Sequence, residues 1–183
     1  MGTSYGYYKK EIKEYLEERY DKDIRILDVG CGCGTYYDLL KDSFNNIEGV
    51  EVYRPNIEKY KLENKYRKVY NVDICDFRYE YYDVIIFGDV IEHIEIEKAQ
   101  EVLEYAYNRC KEMIVAVPYC YKQGICYGNK YEIHKQDDLT KENMKERYPY
   151  LKLLYGNEEY GYYTKVGGRI SKDENEEVID EWI

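Results

Sequence analysis

Arg25-Ile26-Leu27-Asp28-Val29-Gly30-Cys31-Gly32-Cys33-Gly34-Thr35 reads as a short buried strand running into a glycine-rich turn. A helical pattern follows at once, with Tyr36, Tyr37, Leu39, Leu40 and Phe44 at its apolar positions. Strand, glycine turn and helix open a nucleotide-binding βαβ unit, because glycines let the backbone turn tightly and approach a ligand without a Cβ in the way. The turn departs from the dinucleotide fingerprint G-x-G-x-x-G/A: it reads G-x-G-x-G, with Thr35 where the last Gly or Ala would fall. An acid, Asp28, stands just upstream of the first glycine. A carboxylate there repels a diphosphate and attracts a cationic sulfonium or ammonium.

Outward from this turn, strand candidates at 25–29, 47–52, 83–87 and 113–117, with a weaker one at 68–72, alternate with helical patterns at 35–44, 55–62 and 97–109. Pro55 suits a first helical turn. An amphipathic helix over 9–20 precedes them, with Ile12, Tyr15 and Leu16 on one face. A further helix is expected over 140–147, then two late strands, 151–155 and 160–166, joined at Gly156-Asn157. Such alternation predicts a parallel sheet with helices on both faces. The length of 183 residues fits one domain: an N-terminal helix and cap at 1–22, a core at 24–166 and an acidic tail at 171–183.

Ile26-Leu27-Asp28-Val29-Gly30-Cys31-Gly32-Cys33-Gly34 resembles motif I of the class I S-adenosylmethionine (SAM)-dependent methyltransferases. The resemblance runs from 24 to 166. Tyr82-Asp83-Val84-Ile85-Ile86-Phe87-Gly88-Asp89 resembles motif IV, Val90-Ile91-Glu92-His93-Ile94 the Glu-His continuation of one large branch, and Ile114-Val115-Ala116-Val117-Pro118 the fifth strand and its exit. It implies an α/β fold, doubly wound, with a seven-stranded, mostly parallel sheet and an antiparallel last strand. The implied cofactor is SAM. Gly30, Gly32 and Gly34 would pass under its amino-acid part, and Asp28 and Asp89 would orient the ammonium. Glu51, at the end of the second strand, would hold the ribose hydroxyls. Asp73 and Ile74 would take the adenine. A strand-end cap is the competing role for Asp28, and a turn cap for Asp73.

Composition bounds the partners. A formal net charge of -10 opposes general nucleic-acid binding, which draws its affinity from Lys and Arg on phosphates. The expected acceptor is a small molecule. No stretch approaches the ~20 apolar residues of a membrane span, and Met1-Gly2-Thr3-Ser4-Tyr5-Gly6 lacks the pattern of a secretory signal or a myristoylation site, so a cytoplasmic location is expected. Oligomeric state has no signature here. Six cysteines without C-x-x-C spacing read as reduced thiols rather than a zinc site. In the tail, Val178, Ile179, Trp182 and Ile183 could form a docking face, against the plainer reading of a solvated acidic segment. Composition supplies no account of the 26 tyrosines against 3 phenylalanines.

Methyl transfer needs in-line alignment and often a base for the acceptor's proton. The chain has two histidines, His93 and His134, both expected on the acceptor rim and both candidate catalytic bases. Structural loop histidines are the competing reading. The favoured activity is transfer to an oxygen or nitrogen of a small molecule, sugar or cofactor precursor, with no metal assigned. Asp89-x-x-Glu92-His93 with His134 also resembles the small-RNA 3′-end 2′-O-methyltransferases, where such a set surrounds a metal; this is the alternative, and a non-catalytic SAM-binding module is a third. The segment 119–135 is long enough for a lid, with Gly124 and Gly128 as hinges and Tyr7, Tyr8, Tyr119, Tyr121, Tyr127 and Tyr131 as candidate walls of an acceptor pocket.

Overall fold

The computed structural model describes residues 6–167. The acidic tail and its candidate docking face lie outside the described residues. Seven strands form one sheet: β1 (Arg25–Val29), β2 (Asn46–Val50), β3 (Lys68–Tyr70), β4 (Tyr82–Gly88), β5 (Cys110–Pro118), β6 (Leu151–Gly156) and β7 (Tyr160–Lys165), in the order β3-β2-β1-β4-β5-β7-β6. All pairs from β3 to β5 are parallel, and β7 runs antiparallel to both β5 and β6. The strand order reverses between β1 and β4, which places a crevice above their carboxyl ends.

The central strands alternate with a period of two, and each face has its own core. Ile26, Val84, Ile86, Ile114 and Ala116 pack toward α1 (Lys9–Glu17), α2 (Thr35–Leu40) and α3 (Arg54–Lys59). Leu27, Val29, Ile85, Phe87, Met113, Val115 and Val117 pack toward α4 (Ile96–Tyr107) and α5 (Lys141–Arg147). Strands buried on both sides read as the continuous apolar runs seen in the sequence. The elements agree with expectation in kind and shift at their ends. The helix expected over 55–62 stops at Lys59, because Lys61 adopts a left-handed conformation (φ 51°) before a short 3₁₀ turn at Leu62–Asn64. The helix expected over 140–147 starts at Lys141, with the Thr140 hydroxyl accepting the Asn143 N–H.

The tyrosine excess acquires a physical account here. Tyr66 donates to Asp28 (2.5 Å), Tyr82 and Tyr70 donate to Glu48 (2.6 and 3.0 Å), Tyr160 donates to Asp89 (2.5 Å) and Tyr15 donates to Glu112 (2.8 Å). A phenol carries enough apolar surface to pack in a core and a hydroxyl that satisfies a carboxylate there. All six cysteines are free.

Candidate active site

The turn after β1 needs its glycines for two different reasons. Gly30, Gly32 and Gly34 all have positive φ (64°, 54° and 88°), a region costly for other residues. A Cβ on Gly30 would also come within 2.6 Å of Val90 Cγ2, in the segment that leaves β4. Gly34 is the N-cap of α2. The Gly32 N–H donates to Glu51 Oε2 (2.8 Å), and the Tyr53 N–H donates to Glu51 Oε1 (2.7 Å). Burial raises the Glu51 carboxyl above its ordinary range, while these two N–H bonds oppose the shift. Glu51 is therefore fixed against the glycine turn, on the wall of a cavity of about 930 Å³.

That cavity lies over the carboxyl ends of the strands. Gly30 and Gly32 line it from the turn after β1, Glu51 from the residue after β2, Asp73 and Ile74 from the segment after β3, Asp89 from the residue after β4 and Pro118 from the end of β5. The Asp73 carboxylate accepts the Cys75 N–H (2.9 Å), so the residue caps its own turn and faces the cavity at once. Asp89 holds a left-handed conformation (φ 57°). Asp28, within β1, is 1% exposed and is not among the residues that line the cavity. Burial pushes its carboxyl up to about 7, against the pull of the Tyr66 hydroxyl and of Lys9.

At the other end stand the two histidines. A 3₁₀ turn at Ile91–His93 carries Glu92 and His93, and the loop after β5 brings back His134. The His93 Nδ1 lies 3.3 Å from the Ile133 carbonyl, and the His134 Nδ1 lies 2.6 Å from the Tyr121 carbonyl. A carbonyl can only accept, so each Nδ1 carries the hydrogen and each neutral ring offers Nε2 as its lone-pair nitrogen. The rings meet edge to face with centroids 4.6 Å apart. Burial, then His134, lowers His93 to about 4; burial also lowers His134. Glu92 is 1% exposed, and neither of its carboxylate oxygens has a hydrogen-bond partner. Burial, then the charge of Asp89, holds its carboxyl well above the usual range. Glu92, His93 and His134 each place one ligating atom within 4.8 Å of the others. Asp89 stands outside this trio.

Gln136 was not anticipated as part of this arrangement. Its Nε2 donates to the carbonyls of Ile91 (2.8 Å) and Ile94 (3.0 Å), and its Oε1 accepts from Tyr148 (3.0 Å). It fastens the 3₁₀ turn to the loop that carries His134. Of the six tyrosines expected around an acceptor, Tyr121 and Tyr131 line the cavity, whereas Tyr127 is 88% exposed and Tyr119 bonds to Tyr163. Of the two expected hinges, Gly128 has a positive φ (77°).

The trio has the chemistry of a divalent-cation site: two imidazoles and a carboxylate, with both Nδ1–H groups already engaged by backbone carbonyls. The remainder of the cavity is lined by the positive-φ glycines Gly30 and Gly32 and by the Glu51 carboxylate.

Comparison with known proteins agrees with this architecture. The family profile described as a methyltransferase domain matches residues 4–117. An uncharacterised protein of Methanocaldococcus jannaschii is 34% identical over 98 residues, which span 52% of this chain and 42% of that relative. A SAM-dependent methyltransferase from Clostridium acetobutylicum superposes with a TM-score of 0.67 at 16% identity, over 91% of this chain and 94% of that one. The methyltransferase domain of a bacterial Hen1 protein gives 0.63 at 22% identity, over 86% and 96%. Magnesium protoporphyrin IX methyltransferase of Synechocystis PCC 6803, solved with bound SAM, gives 0.61 at 11%, over 86% and 78%.

Proposed function

From the chain's membership of the class I SAM-dependent methyltransferases, we propose that it moves the sulfonium methyl of SAM to a hydroxyl of a small, polyhydroxylated acceptor. The acceptor docks beside Glu92, His93 and His134, and these three residues hold a divalent cation. The observation that carries this reading is the buried Glu92 carboxyl, with neither oxygen hydrogen-bonded and two imidazole nitrogens close by. Burying an unmatched carboxyl costs about 1–3 kcal/mol, and a cation is the partner whose chemistry fits all three ligands. When bound, the cation lowers the pKa of a coordinated hydroxyl.

The chain's own residues do the rest. Gly32 and Tyr53 orient Glu51 for the ribose. Gln136 keeps the 3₁₀ turn and the His134 loop together. The loop residues Tyr121 and Tyr131 wall the acceptor end and exclude water. The two aromatic walls and the neighbouring Lys130 and Lys135 favour an oxygen acceptor with a ring.

An RNA 3′ end is the second reading. It presents neighbouring ribose hydroxyls, and the assembled trio favours it as it favours a sugar. The net charge of -10 argues for the small molecule.

The test is methyl transfer from labelled SAM to a panel of sugars, polyols and short RNAs, with EDTA and with added Mn²⁺. Transfer should stop in EDTA, return with Mn²⁺, and be absent in Glu92→Gln. Activity that persists in EDTA ends the metal reading and leaves His93 as the candidate base.

A further inference from the structure

The connection from β3 to β4, residues 71–81, carries no helix, although a crossover between parallel strands is usually made by one. A coil therefore borders one flank of α4, and a cleft of about 350 Å³ opens between them. That volume lies at the low end of the ~300–1,000 Å³ typical of small-molecule sites. Ile74, Cys75 and Lys98 line this cleft and the larger cavity alike, so the two share a wall.

The charges in the cleft are unevenly matched. Arg78, Lys98 and Arg109 line it against two carboxylates, Glu101 and Glu104. Lys98 pairs with Glu101 (2.8 Å), whereas Arg78 and Arg109 have no ion pair among the described residues. Arg78 donates to the carbonyls of Cys75 (3.3 Å) and Phe77 (3.0 Å). Both guanidiniums lie over the one ring of Tyr105, at 5.2 Å for Arg78 and 4.5 Å for Arg109 from its centroid. Tyr79 borders the same cleft; it is 7% exposed, and its hydroxyl has no hydrogen-bond partner. Burial pushes this phenol up, and Arg109 and Arg78 are the cations that act against the shift. A buried hydroxyl that serves the fold alone is ordinarily given a partner.

Two guanidinium forks and a hydroxyl are the donors of an oxyanion site, since the planar fork matches phosphate geometry as an ammonium does not. Three donors suit the three peripheral oxygens of a phosphoryl group better than the two of a carboxylate. Ile74, Val102 and the Tyr105 ring leave apolar surface for the organic part of an ester. We propose that the cleft between α4 and the β3-to-β4 coil is a second ligand site, for a small phosphate monoester, held by Arg78, Arg109 and the Tyr79 hydroxyl. It is separate from the SAM cavity and does not depend on what occupies that cavity.

Titration of the full chain with phenyl phosphate, followed by amide chemical shifts, tests it, with phenol as the uncharged counterpart. Saturable shifts should centre on residues 74–79 and 101–109, and phenol should leave them in place. Arg109→Gln should weaken the ester by about tenfold, the scale of one hydrogen bond to a charged group. Arg109→Lys should recover only part of that loss. Tyr79→Phe should weaken the ester about threefold without lowering Tm, because its hydroxyl gives up no bond within the fold. Four results overturn the proposal: shifts centred on the glycine turn of the larger cavity, phenol bound as tightly as its phosphate, full affinity kept in Arg109→Gln, or no saturable shift in wild type at millimolar ester. A lower Tm in Tyr79→Phe also overturns it, since the hydroxyl would then be a structural one.

Discussion

Glu48 lies within β2 and Glu92 in the turn after β4, and both are almost closed off from solvent. Glu48 receives two tyrosine hydroxyls and has the Arg25 guanidinium 3.7 Å away. Glu92 receives no hydrogen bond at all on its carboxylate. Asp28 is intermediate: Tyr66 donates to Oδ2, and Oδ1 has no hydrogen-bond partner. The three form a series from fully matched to unmatched. A carboxylate that serves the fold is given donors, because an unmet buried acceptor destabilises the folded chain. One left without donors beside a cavity and two imidazoles is what the proposed cation site would use.

The strongest way to break this comparison is Glu92→Met. Methyl transfer should fall by about a thousandfold, some 4 kcal/mol in the barrier. The folded state should gain, raising Tm by roughly 2–4 °C for a chain of this size. Thermal unfolding decides it, since a lower Tm would show that Glu92 is a structural carboxylate like Glu48.

Asp28 gives the next largest effect. Its raised pKa means that the folded state binds more protons than the unfolded state between the ordinary 3.8 and about 7. Its contribution to stability is therefore complete below the unfolded value and declines as pH rises through that window, by roughly 1 kcal/mol per pH unit. Urea unfolding of wild type and Asp28→Asn across the window should show the variant with the shallower decline. Parallel slopes would mean that Lys9 and Tyr66 compensate Asp28 fully.

Tyr82→Phe probes the matched end. Loss of the shorter hydrogen bond to Glu48 should cost about 1–2 kcal/mol in urea unfolding, with SAM affinity unchanged. A loss of SAM affinity would mean that β2 transmits its packing to Glu51, and the division between structural and functional carboxylates would need redrawing.

The fold was legible because its signals are local. Apolar runs such as Val84-Ile85-Ile86-Phe87 and the glycine turn declare themselves within a few residues. Glu51 could be placed at the cavity wall for the same reason, since it follows directly on β2. The tyrosine–carboxylate pairs were not legible. Tyr66 and Asp28 are 38 positions apart, and Tyr15 and Glu112 are 97 apart. No local pattern joins them, and only the sheet order brings them together. Gln136 escaped notice likewise, because a lone amide in a loop looks like any other polar residue until its carbonyl partners are placed. His93 and His134 were named from chemistry. Their common Nδ1 arrangement depends on backbone carbonyls of a loop whose path the sequence does not specify.

Gly88 ends β4 just before Asp89, and a Cβ built on it would lie 2.0 Å from Cε2 of Tyr36, inside the ring's own contact surface. These two positions are therefore tied in history as well as in space. While Tyr36 stands, nearly every substitution at Gly88 is closed to the lineage. A smaller residue must first appear at position 36, giving up the hydroxyl pair with Tyr162 and the ring beneath Lys9. The order in which this wall of the cavity can diverge is thus prescribed, and relatives that carry a side chain at the position of Gly88 should also have lost the large ring at the position of Tyr36.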